Sequence, residues 1–584
     1  MRGMTRRWRY RDAAPRAGDA GTPGLVERIL SARGLADPAE VSRFCEPKLS
    51  DLHDPALLPG VDRAAERVIA AVRDRQPMVI YGDYDVDGIT ASAILYHTIK
   101  TADPEAPVRC YVPHRIDEGY GLNVDALGQL HEQAAQLVIS VDCGISAKRP
   151  AEVAKQLGLD LIITDHHNLP TDSAELPEAA ALVHPRLPGS GYPFGELCGA
   201  GVAFKLAWRF ATKWCNSERV SENFQRTLLD LLPLAALGTI ADIVPLVDEN
   251  RVLARFGLAH IKQTANIGLR ALIEESGLMD AKIDSEKVGF ILGPRLNACG
   301  RMGHAAEAVE MLTTADAERA HAIAHRLAEL NRWRQKTERE IVEQAEHLAI
   351  EHGMTERDCR AIVLAHHDWH PGVVGIACSR LVDKFHRPTI LMQRNGALCK
   401  GSARSIEGFS IHAALCQVAN FLTTYGGHDA AAGLSLDVEN LEPFTSALTA
   451  HANETITEEQ LTPCVTVDCE ARLDELRLDN VKPLSAMSPF GAGNPRPIVH
   501  VADAVVADAP RQMGREGKHL DLRVRGDDAG GRQWLRCVWW NAGHLAGDLA
   551  TGMRVDLAVE PKLNTFNGTT RIEGELRDVR VQRM

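Results

Sequence analysis

YGDYDVDGIT (81–90) completes a short apolar run, PMVIYGD (77–83), and sets Asp83, Asp85 and Asp87 at alternate positions before Gly88. The apolar run reads as a strand and GITASAILYHTIK as the helix after it, with Gly88 letting the chain turn between them. Three carboxylates this close repel one another and are tolerated most easily around a cation. The pattern DxDxDG also fits the first six positions of an EF-hand loop. That loop needs a bidentate acid at its twelfth position, where Ile94 stands, and it follows a helix rather than a strand. The calcium-loop reading fails.

Working outward, PVRCYV (107–112), QLVISVD (136–142), LDLIITD (159–165) and AALVHP (180–185) are equally short and apolar. Helical patterns such as NVDALGQLHEQA lie between them. Strands apolar on both faces and separated by helices predict an α/β fold with a parallel sheet covered on both sides. Such sheets bind ligands beyond the carboxyl ends of their strands. VDCGIS places Asp142 at one such end, and ITDHHN places Asp165, His166 and His167 at another; GTIADIVPL adds Asp242 between two apolar stretches. One aspartate after a strand is usually a helix cap or a turn. A whole set of acids and histidines on one sheet edge points instead to metal. Mixed carboxylate and imidazole ligands suit Mn²⁺, with Mg²⁺ as the oxygen-preferring alternative. Two such ions, about 3.5–4 Å apart, form the clamp used in phosphoester hydrolysis.

The remaining chain divides by pattern. Residues 1–75 read as a helical lead-in packed on the first α/β domain, which spans 76–312. A charged, nearly uninterrupted helix over 313–353 has the character of a domain connector. RAIVLAHH, RPTILMQ, LCKGSARS and AAGLSLD predict a smaller α/β domain over 354–458, and five strand-like runs over 459–584 predict a small barrel. DEGYGLN (117–123) reads as a glycine-rich loop. Phosphate-binding candidates are Arg295, Asn297 and Arg301 in GPRLNACGRMG, and Ser402, Arg404 and Ser405 in GSARSIEGFS. His370 in WHPGVVGI and His428 in YGGHDAAAGLS join them. SPFGAGNPRP (488–497) opens the barrel region or serves as its linker. From Arg511 to Arg536 basic residues outnumber acids beside Trp534, Trp539 and Trp540, as in a single-strand groove. Adjacent strand residues point oppositely, so one of Trp539 and Trp540 should face the barrel core.

The chain has 584 residues and a formal charge of −13, with 24% charged and 5% aromatic residues. That balance argues against indiscriminate polyanion binding and predicts strand binding that is local, salt-sensitive and poor for duplex. Thirteen scattered cysteines without zinc spacing suggest reduced thiols. No apolar run approaches a membrane span or a signal peptide, so a cytoplasmic protein is expected. No P-loop or G-x-S-x-G elbow appears, which argues against nucleotide-driven or acyl chemistry.

GDYDVDG, VDCG, TDHH and GTIAD, in this order and spacing, resemble the DHH phosphoesterase superfamily, and within it the branch of single-stranded-DNA-specific 5′→3′ exonucleases. SxRS and GGHxxAAG resemble the DHHA1 domain, and the C-terminal strands an OB-fold. The resemblance implies Asp83, Asp85, Asp87, Asp142, His166 and Asp242 as metal ligands, and His167, Asp142 and Asp165 as catalytic residues. It also places the DEGYGLN loop in the first-domain site. Many members carry histidine four residues before Asp85, where Tyr81 stands, so one ion should be held more weakly. The resemblance further implies metal-activated water attack on single-stranded DNA, with Arg404 and its neighbours anchoring the 5′ end. It implies a monomer that cooperates with single-strand-binding protein and a helicase in recombination and mismatch repair. Hydrolysis of short oligonucleotides or small phosphate esters, or an inactive DNA-binding scaffold, are the alternatives. The added barrel disfavours the first, and the complete set of aspartates the second.

Overall fold

The computed structural model describes residues 1–11, 24–115, 118–526, 533–566 and 568–582. Asp117 of the DEGYGLN loop and residues 527–532 of the basic C-terminal segment lie outside the described residues, as do residues 12–23. The chain forms two compact units. One comprises Glu46–Lys336 with Pro489–Pro495; the other comprises Met1–Cys45, Thr337–Ser488 and Arg496–Met584.

In the first unit five parallel strands lie in the order Val108–Tyr111, Met78–Gly82, Leu137–Val141, Asp160–Thr164 and Ala181–Val183. Met78–Gly82 and Leu137–Val141 are buried at every position, as expected for strands covered on both faces. Strand order reverses at Met78–Gly82, because the next strand in sequence lies on one side of it and the later strands on the other. The crevice beyond that reversal is where such sheets bind ligands. Helices Val86–Ala102, Gly199–Cys215 and Glu222–Ala241 pack against one another beside it. Twelve of the seventeen residues of Val86–Ala102 are buried, which explains its weakly amphipathic sequence.

The structure corrects the role given to Gly88. The helix already begins at Val86, and a Cβ on Gly88 would lie 2.6–2.8 Å from the backbone of Asp83. Glycine is needed there for close approach, not for a turn.

In the second unit a mixed sheet runs Thr424–Gly427, Ala431–Asp437, Leu398–Arg404, Thr389–Asn395 and Ile362–His366. Thr424–Gly427, which carries the first residues of YGGHDAAAGLS, is itself a strand. The C-terminal strands Val499–Val506, His519–Arg525, Trp534–Trp539, Arg554–Phe566 and Thr569–Val581 close into a barrel, with Val505 and Val506 pairing back to Arg525 and Val524. Five closed strands are the OB arrangement. Trp539 is buried and Trp540 exposed, as alternation requires.

The expected N-terminal lead-in divides. Only residues from Glu46 onward group with the parallel-sheet unit. Arg7–Tyr10 is a strand, not a helix, and pairs in parallel with Cys464–Val467. Trp8 is buried there and donates its indole N–H to Asp578 at 2.8 Å. SPFGAGNPRP likewise does more than link. Pro489–Pro495 belongs to the parallel-sheet unit, where Leu246 donates to the Ala492 carbonyl at 2.8 Å and Ser285 to that of Phe490 at 2.6 Å. The long helix spans Ala317–Glu351, 35 residues, and its residues divide between the units at Thr337.

Candidate metal centre

Asp83, Asp142 and Asp165 each follow the last residue of a strand in the parallel sheet. Asp85 caps helix Val86–Ala102, its carboxylate accepting from the N–H groups of Asp87 at 2.9 Å and Gly88 at 3.2 Å. Asp87, in the first turn, accepts from two further amides, Gly199 at 2.6 Å and Ala200 at 2.8 Å, at the start of helix Gly199–Cys215. Asp142 has φ +61°, a left-handed backbone that costs an L residue about 1–2 kcal/mol and that aspartate tolerates better than most. Its N–H stays bonded to the Thr164 carbonyl at 3.0 Å. Asp242 follows the last residue of helix Glu222–Ala241.

These residues converge. His166 Nε2 lies 3.1 Å from Asp142, 3.6 Å from Asp242 and 3.7 Å from Asp87. Asp83, Asp85 and Asp142 form one group of potential ligand atoms, all within 4.8 Å of one another; Asp87, His166 and Asp242 form a second, and Asp142, His166 and His167 a third. Asp83 Oδ1, Asp142 Oδ1 and His166 Nε2 are buried and make no hydrogen bond. Buried polar atoms are nearly always satisfied, so three aimed into one cleft mark a place for a missing partner. Burial, with the neighbouring carboxylates, raises Asp83, Asp85 and Asp142 above the usual carboxylate range and pushes Asp242 up to about 8. Burial lowers His166 to about 4, leaving a neutral imidazole suited to metal. The donor set fits two divalent cations: Asp83, Asp85 and Asp142 would hold one, and Asp87, His166 and Asp242 the other.

Asp165 stands apart from this group. Burial opposes its ionisation, but the hydrogen bond and charge of His167, with the N–H of Ile145, hold it at about 2. Against the same burial, Asp165 raises His167 to about 9 through a 2.8 Å contact at Nδ1. Tyr120 Oη lies 3.2 Å from the His167 ring nitrogens. The Tyr81 hydroxyl donates to the Gly121 carbonyl at 3.0 Å, so it is committed away from any ligand role.

Sequence reasoning missed four residues at this site. Arg115, just past the end of a strand, stacks over Tyr84 at 4.7 Å, and its charge favours ionised Asp83. Tyr120 was passed over within DEGYGLN. Gly199 and Gly238 leave room for the carboxylates, since a Cβ on either would fall within 2.7 Å of Asp142 or Asp87. The glycines of CGAG and GTIAD were the available signal.

Of the phosphate-binding candidates in this unit, Asn297 Oδ1 accepts from Val86 N–H at 3.0 Å and so steadies the aspartate-bearing helix. Arg295 donates to the Ile291 carbonyl at 2.8 Å and is partly buried. Arg301 carries charge toward Tyr84. In the other unit Ser402 and Arg404 approach the first turn of helix Val374–Phe385, where a Cβ on Gly375 would sit 3.2 Å from Ser402 Oγ and 3.3 Å from Arg404 Nη2. A guanidinium and a hydroxyl at a helix N-terminus suit an anion. Ser405 Oγ donates to the Phe409 carbonyl at 2.6 Å. His370 Nδ1 accepts from Gly372 at 3.1 Å, and His428 sits in the turn between two strands.

A carboxylate–imidazole site at the switch point of a parallel sheet has the make-up of a metallo-phosphoesterase. Residues 77–239 match the DHH family N-terminal domain, 358–454 the DHHA1 domain and 467–578 the RecJ OB domain. The chain is 39% identical to the single-stranded-DNA-specific exonuclease RecJ of Bacillus subtilis over 95% of its own length and 68% of that protein's. It is 31% identical to the Escherichia coli RecJ over 95% of each. The crystal structure of Thermus thermophilus RecJ in complex with Mn²⁺ superposes with a TM-score of 0.81 at 29% identity, covering 99% of this chain and 80% of that one. A Mg²⁺ complex from the same organism gives 0.75. The chain belongs to the RecJ family of single-stranded-DNA-specific exonucleases.

Proposed function

We propose that this protein is a metal-dependent exonuclease that hydrolyses single-stranded DNA to mononucleotides from the 5′ end. The observation that carries the reading is the convergence of Asp83, Asp85, Asp87, Asp142, His166 and Asp242 with three unpartnered buried ligand atoms. A bound pair of Mn²⁺ or Mg²⁺ ions would supply an activated water and stabilise charge on the phosphate oxygens. The chain's own residues do the rest. Amides of Gly199 and Ala200 hold Asp87 in place, and the cap at Asp85 fixes its neighbour. Asp165 keeps His167 oriented and protonated near neutral pH, so this cation can meet an anionic phosphate. Arg404 and Ser402, with Ser405 of the same motif and His370 and His428 of two others, are assigned to the strand's terminal phosphate. Arg295, Asn297 and Arg301 are assigned to its path.

Exposed Trp534 and Arg523, whose guanidinium lies 5.8 Å from the indole centroid, give the barrel a stacking surface for bases. Among the described residues no helix is long and apolar enough to cross a membrane. We place the protein in the cytoplasm as a monomer working with single-strand-binding protein and a helicase in recombination and mismatch repair; the family likeness supports this.

The test compares wild type and Asp142→Ala on end-labelled single-stranded and duplex DNA, with and without Mn²⁺. Mononucleotide release from the single strand by wild type alone, and only with metal, is expected. Equal activity in the variant would refute the site; preference for duplex or for a free 3′ end would refute the substrate.

A further inference from the structure

We infer that Ile243 and Phe290 form an apolar ledge beside the metal centre that packs against the bases of the strand being cleaved. The inference rests on the nuclease reading and adds a base-contacting element to it.

Ile243 directly follows the ligand candidate Asp242. Its φ is +62°, and it is the one β-branched residue among the described non-glycine residues with positive φ. That conformation is a true outlier for a β-branched side chain. The position ends helix Glu222–Ala241, with Ile243 N–H bonded to the Ile240 carbonyl at 3.3 Å, which is where glycine or asparagine is ordinarily found. Burial does not offset the strain, because Ile243 is 73% exposed. A strained residue that returns nothing to the core points to a task in solvent.

Phe290 is its counterpart. Among the described residues these two are the most exposed large apolar side chains, Phe290 at 76%. Phe290 occupies a π-helical turn, Val288–Leu292, a geometry that recurs at functional sites. That turn packs against helix Glu222–Ala241, and a Cβ on Gly293 just after it would sit 3.7 Å from Ala241 and 3.9 Å from Val86. Val86 opens the helix that Asp85 caps, and Ala241 precedes Asp242. Both apolar side chains therefore stand on segments that border the carboxylates. Their occupant is the nucleobase: a strand whose phosphate reaches these carboxylates must place its bases beside them, and unstacked bases offer apolar faces that duplex DNA keeps stacked.

The experiment uses the full chain with Mn²⁺ and two substrates: an oligothymidylate, and the same strand with abasic sites at its first three nucleotides. Ile243→Gly keeps the backbone conformation and removes the side chain; Ile243→Asn and Phe290→Ala are the second and third variants. Ile243→Gly should melt at or above the wild-type temperature. It should raise KM on the normal strand about 5–10-fold with kcat within about twofold, a size in keeping with one base contact. On the abasic strand the difference from wild type should vanish. An unchanged KM for both Ile243→Gly and Phe290→Ala overturns the proposal. An equal loss on both strands also overturns it, by assigning the effect to a displaced Asp242. Absence of hydrolysis by wild type would refute the nuclease reading itself, and this inference with it.

Discussion

Gly238→Ala tests whether the space between three helices sets the metal centre. An ideal Cβ on Gly238 would lie 2.5 Å from Ala200 Cβ, 2.5 Å from Asp87 Oδ1 and 2.7 Å from Thr90 Oγ1. Ordinary contact begins near 3.4 Å, so the helices must part by close to 1 Å. None of the three neighbours yields easily. Asp87 is pinned by the amides of Gly199 and Ala200, and Thr90 Oγ1 donates to the Val86 carbonyl at 2.8 Å. Two terms oppose each other. Alanine in a helix interior gains about 1 kcal/mol over glycine, while overpacking a tight contact costs about 1–3 kcal/mol. The melting temperature should therefore fall by only a few degrees. Activity responds more steeply, since a displacement near 1 Å at a reacting group costs about 100-fold. The assay is kcat/KM for Mn²⁺-dependent nucleotide release, with melting temperature measured beside it. Gly128→Ala is the control, because a Cβ there meets nothing within 4 Å and should stabilise slightly. Wild-type kcat/KM in a folded Gly238→Ala protein would refute the claim that this packing positions Asp87.

The other predictions concern charge and surface. Asp242, raised to about 8, stays largely protonated at neutral pH in metal-free protein and resists ionisation as pH rises. As pH rises from about 4 to about 8, this group makes the metal-free protein progressively less stable, by roughly 1 kcal/mol per pH unit at most. Mn²⁺ should reduce that slope in a thermal melt, and Asp242→Asn should lessen it without metal, leaving the share that Asp83, Asp85 and Asp142 add in the same direction. Asp468 is buried and pairs with Arg11 and Arg33, each at 2.9 Å. Asp468→Ala should destabilise the second unit by about 1–3 kcal/mol, read by denaturant unfolding, because it removes a buried carboxylate that both arginines contact. Trp534→Ala should weaken single-strand binding about 5–50-fold in a fluorescence titration while leaving cleavage of a dinucleotide unchanged.

The parallel sheet was legible because its strands are short, apolar on both faces and each end in chemistry. Asp83, Asp142 and Asp165 announced one sheet edge before any coordinate. What the sequence did not disclose is how those acids are held. The Asp87–Gly199 and Asp87–Ala200 bonds join residues more than a hundred positions apart, and no local pattern records such a pairing. The last barrel strand, TTRIEGELRDVRV, carries a weak strand signal because its alternate residues are charged and pair across the hairpin, as Glu575 does with Lys562. Arg7–Tyr10 was taken for part of a helical lead-in because four residues carry too little periodicity to reveal a distant strand partner. Asn297, read from its motif as a phosphate-binding candidate, has a local task as well, accepting from the first residue of the aspartate-bearing helix.

Pro489–Pro495 also governs the order in which the molecule is made. The parallel-sheet unit is unfinished at Lys336, and 152 residues of the other unit, Thr337–Ser488, must be synthesised before its final strip arrives. At about 5–20 residues per second that is a wait of about 8–30 s on the ribosome. Until then the Leu246 amide, the Ser285 hydroxyl and the buried Arg251 guanidinium lack the carbonyls of Ala492, Phe490 and Pro489 that they meet in the native fold. A nascent chain would therefore carry its complete set of aspartates well before the scaffold around them closes, so that metal affinity matures late in translation.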